Sequence, residues 1–88
     1  MITIEDLTFT QAKLVAGELI AQFNQQPDDY AYEPLTVEMR DETTDEEKTK
    51  DVERWTVVGY YASGDEVPGE EVLNAESMAD EIRDGEDW

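Results

Sequence analysis

The chain has 88 residues, of which 24 are Asp or Glu and six are Lys or Arg, so its formal net charge is −18. It contains no Cys and no His, which excludes disulfides, thiolate metal sites and catalysis with histidine as the base. A chain of this length has room for one hydrophobic core, so we expect a single domain over residues 1–88.

The first two predicted elements are a strand and a helix. Residues 1–4 alternate in hydrophobicity and indicate a short strand. The next segment indicates a helix that ends within residues 24–27, with Thr8 and Gln11 as a capping box. Gly17 either weakens this helix by up to ~1 kcal/mol relative to Ala or marks a close packing contact. Apolar residues recur at helical spacing, at Ala12, Val15, Ala16, Leu19, Ile20 and Phe23.

Two further segments predict an antiparallel pair of strands. In residues 35–40, apolar and polar side chains alternate, as they do in a strand with one buried face. Residues 52–62 are rich in β-branched and aromatic side chains, which favour strands. We expect the inward-facing residues of the two strands to be Leu35, Val37, Met39, Trp55, Val57 and Tyr61.

Residues 41–51, DETTDEEKTKD, connect these strands and contain six carboxylates and two lysines. Hairpin connections usually have two to five residues, and longer ones are often functional or mobile. A calcium-binding EF-hand loop starting at Asp41 would need Gly where Glu46 stands and Glu where Val52 stands. We therefore expect no calcium loop, although loose binding of divalent cations stays open.

A closing helix is predicted over residues 74–85. Asn74 is a preferred N-cap residue, and Gly85 is typical of the position just after a helix. Its apolar stripe comprises Ala75, Met78, Ala79 and Ile82. The predicted fold is a single small α+β domain, with an N-terminal helix, a two- or three-stranded antiparallel sheet with a long acidic hairpin loop, and a C-terminal acidic helix. Both helices are expected on one face of the sheet.

The negative charge is concentrated towards the C-terminus. Residues 65–88 contain ten acidic residues against Arg83 alone, and so hold half of the net charge. Acidic residues near a helix C-terminus oppose its dipole, at about 0.3–1 kcal/mol each, and like charges spaced four apart repel. Local choices that weaken a small domain are often retained for function.

These features favour a non-enzymatic protein that binds the basic, nucleic-acid-binding surface of a partner protein as a nucleic-acid mimic. We expect no cofactor, no metal site, and no direct binding of nucleic acid or membrane, because like charges repel. A homodimer stays open. Tyr30, Tyr32, Tyr60 and Trp88 are candidate aromatic contacts. The predicted partner-binding carboxylates belong to Asp41, Glu42, Asp45, Glu46, Glu47, Asp51, Glu76, Asp80, Asp84, Glu86 and Asp87.

In size and charge the chain resembles small acidic inhibitors that phages and mobile elements direct against restriction, CRISPR, repair or transcription systems. This resemblance implies an anti-restriction or anti-CRISPR type of role, and it transfers no individual residues. Two alternatives remain: an adaptor module that binds a partner through its sheet edge, and a salt-adapted domain of other function. The chain has no signal-peptide pattern and no apolar run of about 18 residues, so a cytoplasmic location is expected.

Overall fold

The computed structural model describes residues 1–24 and 35–85, which form three strands and three helices. In chain order these are β1 (Ile2–Leu7), α1 (Phe9–Asn24), β2 (Leu35–Asp41), α2 (Asp45–Thr49), β3 (Trp55–Tyr61) and α3 (Gly69–Arg83). The predicted α+β fold, with an N-terminal helix, an antiparallel sheet and a C-terminal helix, is confirmed.

The sheet has the strand order β1–β3–β2, and both neighbours run antiparallel to β3. Val57, in the middle of β3, lies opposite Ile4 on one side and Met39 on the other. The opening strand extends beyond the predicted residues 1–4, as far as Leu7. Its register with β3 shifts between Ile4 and Leu7, so that Leu7 still pairs with Trp55. Asp6 adopts a φ of 58° within this irregularity, which is the geometry of a β-bulge that ends regular pairing.

Both helices contribute their apolar stripes to one hydrophobic core, which also contains the inward-facing residues of the sheet. The stripe predicted for α3 is buried in full, and that of α1 is buried except at Ile20. Ile20 is 46% exposed, because a turn of about 100° per residue places it at the edge of the stripe, roughly 80° from Ala12. None of the helices in the described ranges is long and apolar enough to cross a bilayer.

The helix ends agree with the sequence at two positions and disagree at one. The backbone N–H of Thr8 donates to Gln11 Oε1 at 3.0 Å, and that of Gln11 donates to Thr8 Oγ1 at 3.1 Å, so the predicted capping box is confirmed. Gly85 has a φ of 77° directly after α3, as expected. Asn74 as an N-cap was wrong, because α3 already begins after Pro68. Its first turn contains two glutamates, which the helix dipole favours, and the partly buried Val72 extends its apolar stripe.

Gly59 in β3 and Gly17 in α1 predict opposite effects of substitution by alanine. A Cβ at Gly59, in the central strand, would lie 2.8 Å from Leu35 Cδ2, and Leu35 is itself buried. We therefore expect Gly59→Ala to lower the free energy of unfolding by about 1–3 kcal/mol. A Cβ at Gly17 would meet no atom of residues 1–24 and 35–85 within 4 Å, so Gly17 marks no close contact with this part of the chain. Gly17→Ala should instead raise the stability of the protein by up to ~1 kcal/mol.

Urea unfolding of the two variants and the wild-type protein measures both changes. A destabilised Gly17→Ala variant, or a Gly59→Ala variant as stable as the wild type, would contradict this account of the packing.

Candidate acidic interaction surface

The connection between β2 and β3 is ordered by its own polar side chains. Asp41 Oδ1 accepts the backbone N–H of Thr43 at 3.0 Å. Hydrogen bonding from the Thr43 side chain, followed by this backbone bond, lowers the pKa of the Asp41 carboxyl. Thr44 is the N-cap of α2, and its side chain accepts the N–H of Glu47 while the Glu47 carboxylate accepts the N–H of Thr44. The connection was predicted to be a loop, but it also contains the one-turn helix α2. The Thr-x-x-Glu spacing of this capping box was the missed signal.

Glu47 fixes the connection to the start of β3. Its Oε2 accepts from Arg54 Nε at 3.0 Å and from Arg54 Nη2 at 2.7 Å. The bond from the Thr44 N–H is the largest cause that lowers the pKa of Glu47, and Arg54 adds to it. Only 17% of the Glu47 side chain is exposed, so this carboxylate is the least accessible of those predicted in the connection.

The remaining carboxylates of the connection are exposed. Glu46 forms an i,i+4 ion pair with Lys50 at 3.3 Å, although both side chains stay mostly exposed. Asp51 adopts a φ of 56°, where the chain turns back towards β3. Glu42 and Asp45 form no ion pair with any described residue, so their charges face solvent without a compensating cation.

Two arginines join this connection to β1 and α3. Arg54, which holds Glu47, also lies 3.8 Å from Asp6 Oδ1 in the β1 bulge. Arg83 Nη1 donates to Asp80 at 3.0 Å, and Arg83 Nη2 donates to the backbone carbonyl of Glu5. Contacts therefore run from α2 through the β1 bulge to the C-terminal half of α3. This places the two acidic segments singled out in the sequence at the same end of the sheet.

We call this region the acidic end. Glu5, Asp6 and Glu53 were not among the carboxylates predicted from the sequence. Glu5 and Asp6 lie beyond the predicted end of the first strand at residue 4, and no sequence pattern indicated a bulge there. A cleft between β1 and α3 is lined by both residues together with Glu76, Asp80 and Arg83. The exposed carboxylates of the acidic end belong to Glu5, Asp6, Asp41, Glu42, Asp45, Glu46, Asp51, Glu53, Glu76, Asp80 and Asp84.

Other acidic residues lie far from the acidic end. Residues 62–68 follow β3, so α3 begins at the opposite end of the sheet, and its 15 residues span roughly 22 Å. Asp65, Glu66 and Glu70 are exposed at that opposite end. The acidic residues near the C-terminus of the sequence therefore do not form one patch. Several predicted residues lie outside the described part of the chain, namely Tyr30, Tyr32, Glu86, Asp87 and Trp88.

On the face of the sheet opposite the core, Tyr60 belongs to a small polar network. Its hydroxyl donates to Glu38 Oε1 at 3.0 Å, and Arg40 donates to Glu38 Oε2 at 2.9 Å. The bond from Arg40, followed by that from Tyr60, lowers the pKa of Glu38, and the bond to Glu38 raises the pKa of Tyr60. The Tyr60 ring is therefore held in a defined position on this face.

No set of three or more acidic side chains among residues 1–24 and 35–85 is arranged to hold a metal ion. Comparison of the chain with protein-family models, curated proteins and solved structures gives no match.

The contacts of Glu47 predict a pH-dependent part of the stability. Because its folded-state pKa is lowered, its contribution is present above the unfolded-state pKa of about 4.3 and is lost as the pH falls through the folded value. We expect Glu47→Gln to be less stable than the wild-type protein at neutral pH, and this difference to shrink below about pH 4.

Urea unfolding of both proteins across this pH range tests the prediction. The difference between their free energies of unfolding cancels the contributions of the other carboxylates, which the two proteins share. A difference that stays constant from neutral to acidic pH would show that the Glu47 charge does not stabilise the connection.

Proposed function

We propose that this protein is a non-enzymatic interaction protein whose acidic end binds the nucleic-acid-binding surface of a basic partner. The observation that carries the proposal is the contact of Arg54 and Arg83 with the β1 bulge. These contacts join two acidic segments that are distant in sequence, so that their carboxylates share one end of a small sheet.

The charges of such a surface act as backbone phosphates do. Duplex DNA presents one negative charge per ~1.7 Å of its axis, and proteins recognise it through Lys and Arg side chains. Carboxylates fixed on a strand, a capped turn and a helix offer charge-assisted acceptors to the same side chains. Because α2 and the β1 bulge are held by hydrogen bonds and ion pairs, little ordering is needed when a partner binds.

The partner class follows from this chemistry together with the small size of the chain. A basic groove that normally holds nucleic acid is the surface that this charge distribution complements. The proposed role is inhibition of a host system that acts on DNA or RNA, such as restriction, CRISPR, repair or transcription, by a phage or mobile-element protein. The acidic end would occupy the groove and exclude its nucleic acid.

Salt dependence tests the proposal. The protein is immobilised, basic proteins are captured from a host lysate, and one captured protein is purified and titrated. Binding through many ion pairs should weaken by orders of magnitude between about 50 and 200 mM salt. An affinity that stays constant over this range would refute nucleic-acid mimicry. A wild-type protein that folds only in molar salt would instead identify salt adaptation as the origin of its charge.

A further inference from the structure

The two edges of the sheet differ in how accessible they are. At β1, the bulge around Asp6 interrupts regular pairing, and the backbone carbonyl oxygen of Glu5 accepts a hydrogen bond from Arg83. At β2, regular pairing with β3 runs without a shift from Leu35 to Asp41. In the part of the chain that the structure describes, no strand pairs with the other side of β2. From Val37 to Asp41, β2 therefore offers the regular edge, with which no strand of residues 1–24 and 35–85 pairs.

The backbone groups of β2 that face this edge can be identified from one hydrogen bond. The N–H of Glu42 donates to the carbonyl of Arg54 at 2.9 Å, and this pair continues the register in which Asp41 lies opposite Trp55. Backbone groups in an antiparallel ladder point alternately towards and away from the neighbouring strand. The N–H and C=O groups of Val37, Met39 and Asp41 therefore point away from β3.

We propose that two copies of this chain pair through β2, antiparallel and with Met39 opposite Met39 of the second copy. In this register the outward groups of Val37 in each copy meet those of Asp41 in the other, and the sheet continues across both copies. Glu38 and Arg40 then lie opposite each other across the interface, twice. Their side chains already share one face of the sheet, as their mutual contact at 2.9 Å shows.

The charges on β2 select this register from its neighbours. A shift of one residue in each copy towards the N-terminus places Glu38 opposite Glu38 of the second copy. The equivalent shift towards the C-terminus places Arg40 opposite Arg40 and Glu38 opposite Glu42. Like charges directly opposite each other destabilise a strand pair, and opposite charges stabilise it. Of these three registers, only the proposed one places Glu38 opposite Arg40 and Glu42 opposite Thr36, so that no two like charges lie opposite each other on this face of the sheet.

Salt separates this interface from the proposed function. Each copy carries a net charge of −18, so two copies repel at low ionic strength, and salt screens this repulsion. We expect the dimer dissociation constant to fall by about tenfold or more between roughly 50 and 500 mM salt. Binding of a basic partner through the acidic end has the opposite salt dependence, so that either proposal can fail alone.

The first test is the molar mass in solution. Sedimentation equilibrium of the wild-type protein in about 500 mM salt should show twice the chain mass of 10.1 kDa. Glu38→Arg and Arg40→Glu place like charges opposite each other, and each variant alone should be a monomer. An equimolar mixture of the two restores both opposite-charge pairs, so it should form a heterodimer. A monomeric wild-type protein, or variants that dimerise alone as the wild type does, would overturn the proposal.

Proline provides a test of the backbone contacts. Met39→Pro removes an N–H that points away from β3, so the ladder with β3 stays complete and the variant should be a folded monomer. Met39→Leu keeps the N–H and should dimerise like the wild type. Circular dichroism verifies folding of each variant. A folded Met39→Pro variant that still dimerises would overturn the proposal, and if it does not fold, the charge-reversal pair decides the question.

Discussion

The combined replacement of Glu76→Gln, Asp80→Asn and Asp84→Asn should lower affinity for the basic partner about a hundredfold. All three carboxylates are exposed: Glu76 and Asp80 lie on α3, and Asp84 directly follows it, next to the arginine that ties α3 to the β1 bulge. If each forms one charge-assisted contact with the partner, a net loss of roughly 1 kcal/mol per contact gives this factor. Titration of the purified partner at constant salt measures it.

A matched control separates location from total charge. The replacement of Asp65→Asn, Glu66→Gln and Glu70→Gln changes the net charge by the same amount, at the opposite end of α3. If the acidic end is the binding surface, this variant should bind within a few-fold of the wild-type protein, because at these distances exposed charges are largely screened. Equal losses in the two variants would show that binding depends on total charge and not on the acidic end.

The second large effect is expected in the core. Leu19 on α1 is fully buried in the hydrophobic core, so Leu19→Ala should lower the free energy of unfolding by about 2–5 kcal/mol. A domain of 88 residues has a total of roughly 4–13 kcal/mol. This single change therefore removes a large part of the stability, and urea unfolding measures it.

Ile20 is the control for this prediction, since it is the next residue of the same helix and has the same number of side-chain carbons. It is 46% exposed, so Ile20→Ala should change the stability by no more than about 1 kcal/mol. If the two variants were equally destabilised, the assignment of the buried face of α1 would be wrong.

The sequence predicted the elements whose signals are local. Periodicity identified the buried face of α3, and alternation identified the inward face of β2, because both depend on the geometry of a single element. The side chains of Thr8 and Gln11 indicated the start of α1 in the same way. The start of α3 was missed because the Asn74 side chain can accept a capping hydrogen bond, which makes Asn a preferred N-cap residue. Pro68, the actual N-cap, forms no side-chain hydrogen bond that would signal the helix start.

The acidic end depended on contacts that no local pattern reports. Arg54 and Asp6 are far apart in sequence, as are Arg83 and Glu5. The pairing of β1 with β3 brings the first two together, and the packing of α3 against β1 brings the second two together. The sequence predicted most of the acidic residues at this end, but its charge distribution also indicated one patch for the whole C-terminal segment. The length of α3 divides that segment between the two ends of the molecule.

The most direct test of the central claim is competition between this protein and duplex DNA for one purified partner. The partner is bound to labelled duplex and titrated with the wild-type protein and with the Glu76, Asp80 and Asp84 variant. If the acidic end occupies the nucleic-acid groove, the wild-type protein should displace the duplex completely, and the variant should need about a hundredfold higher concentration. A ternary complex of partner, duplex and wild-type protein would contradict the account.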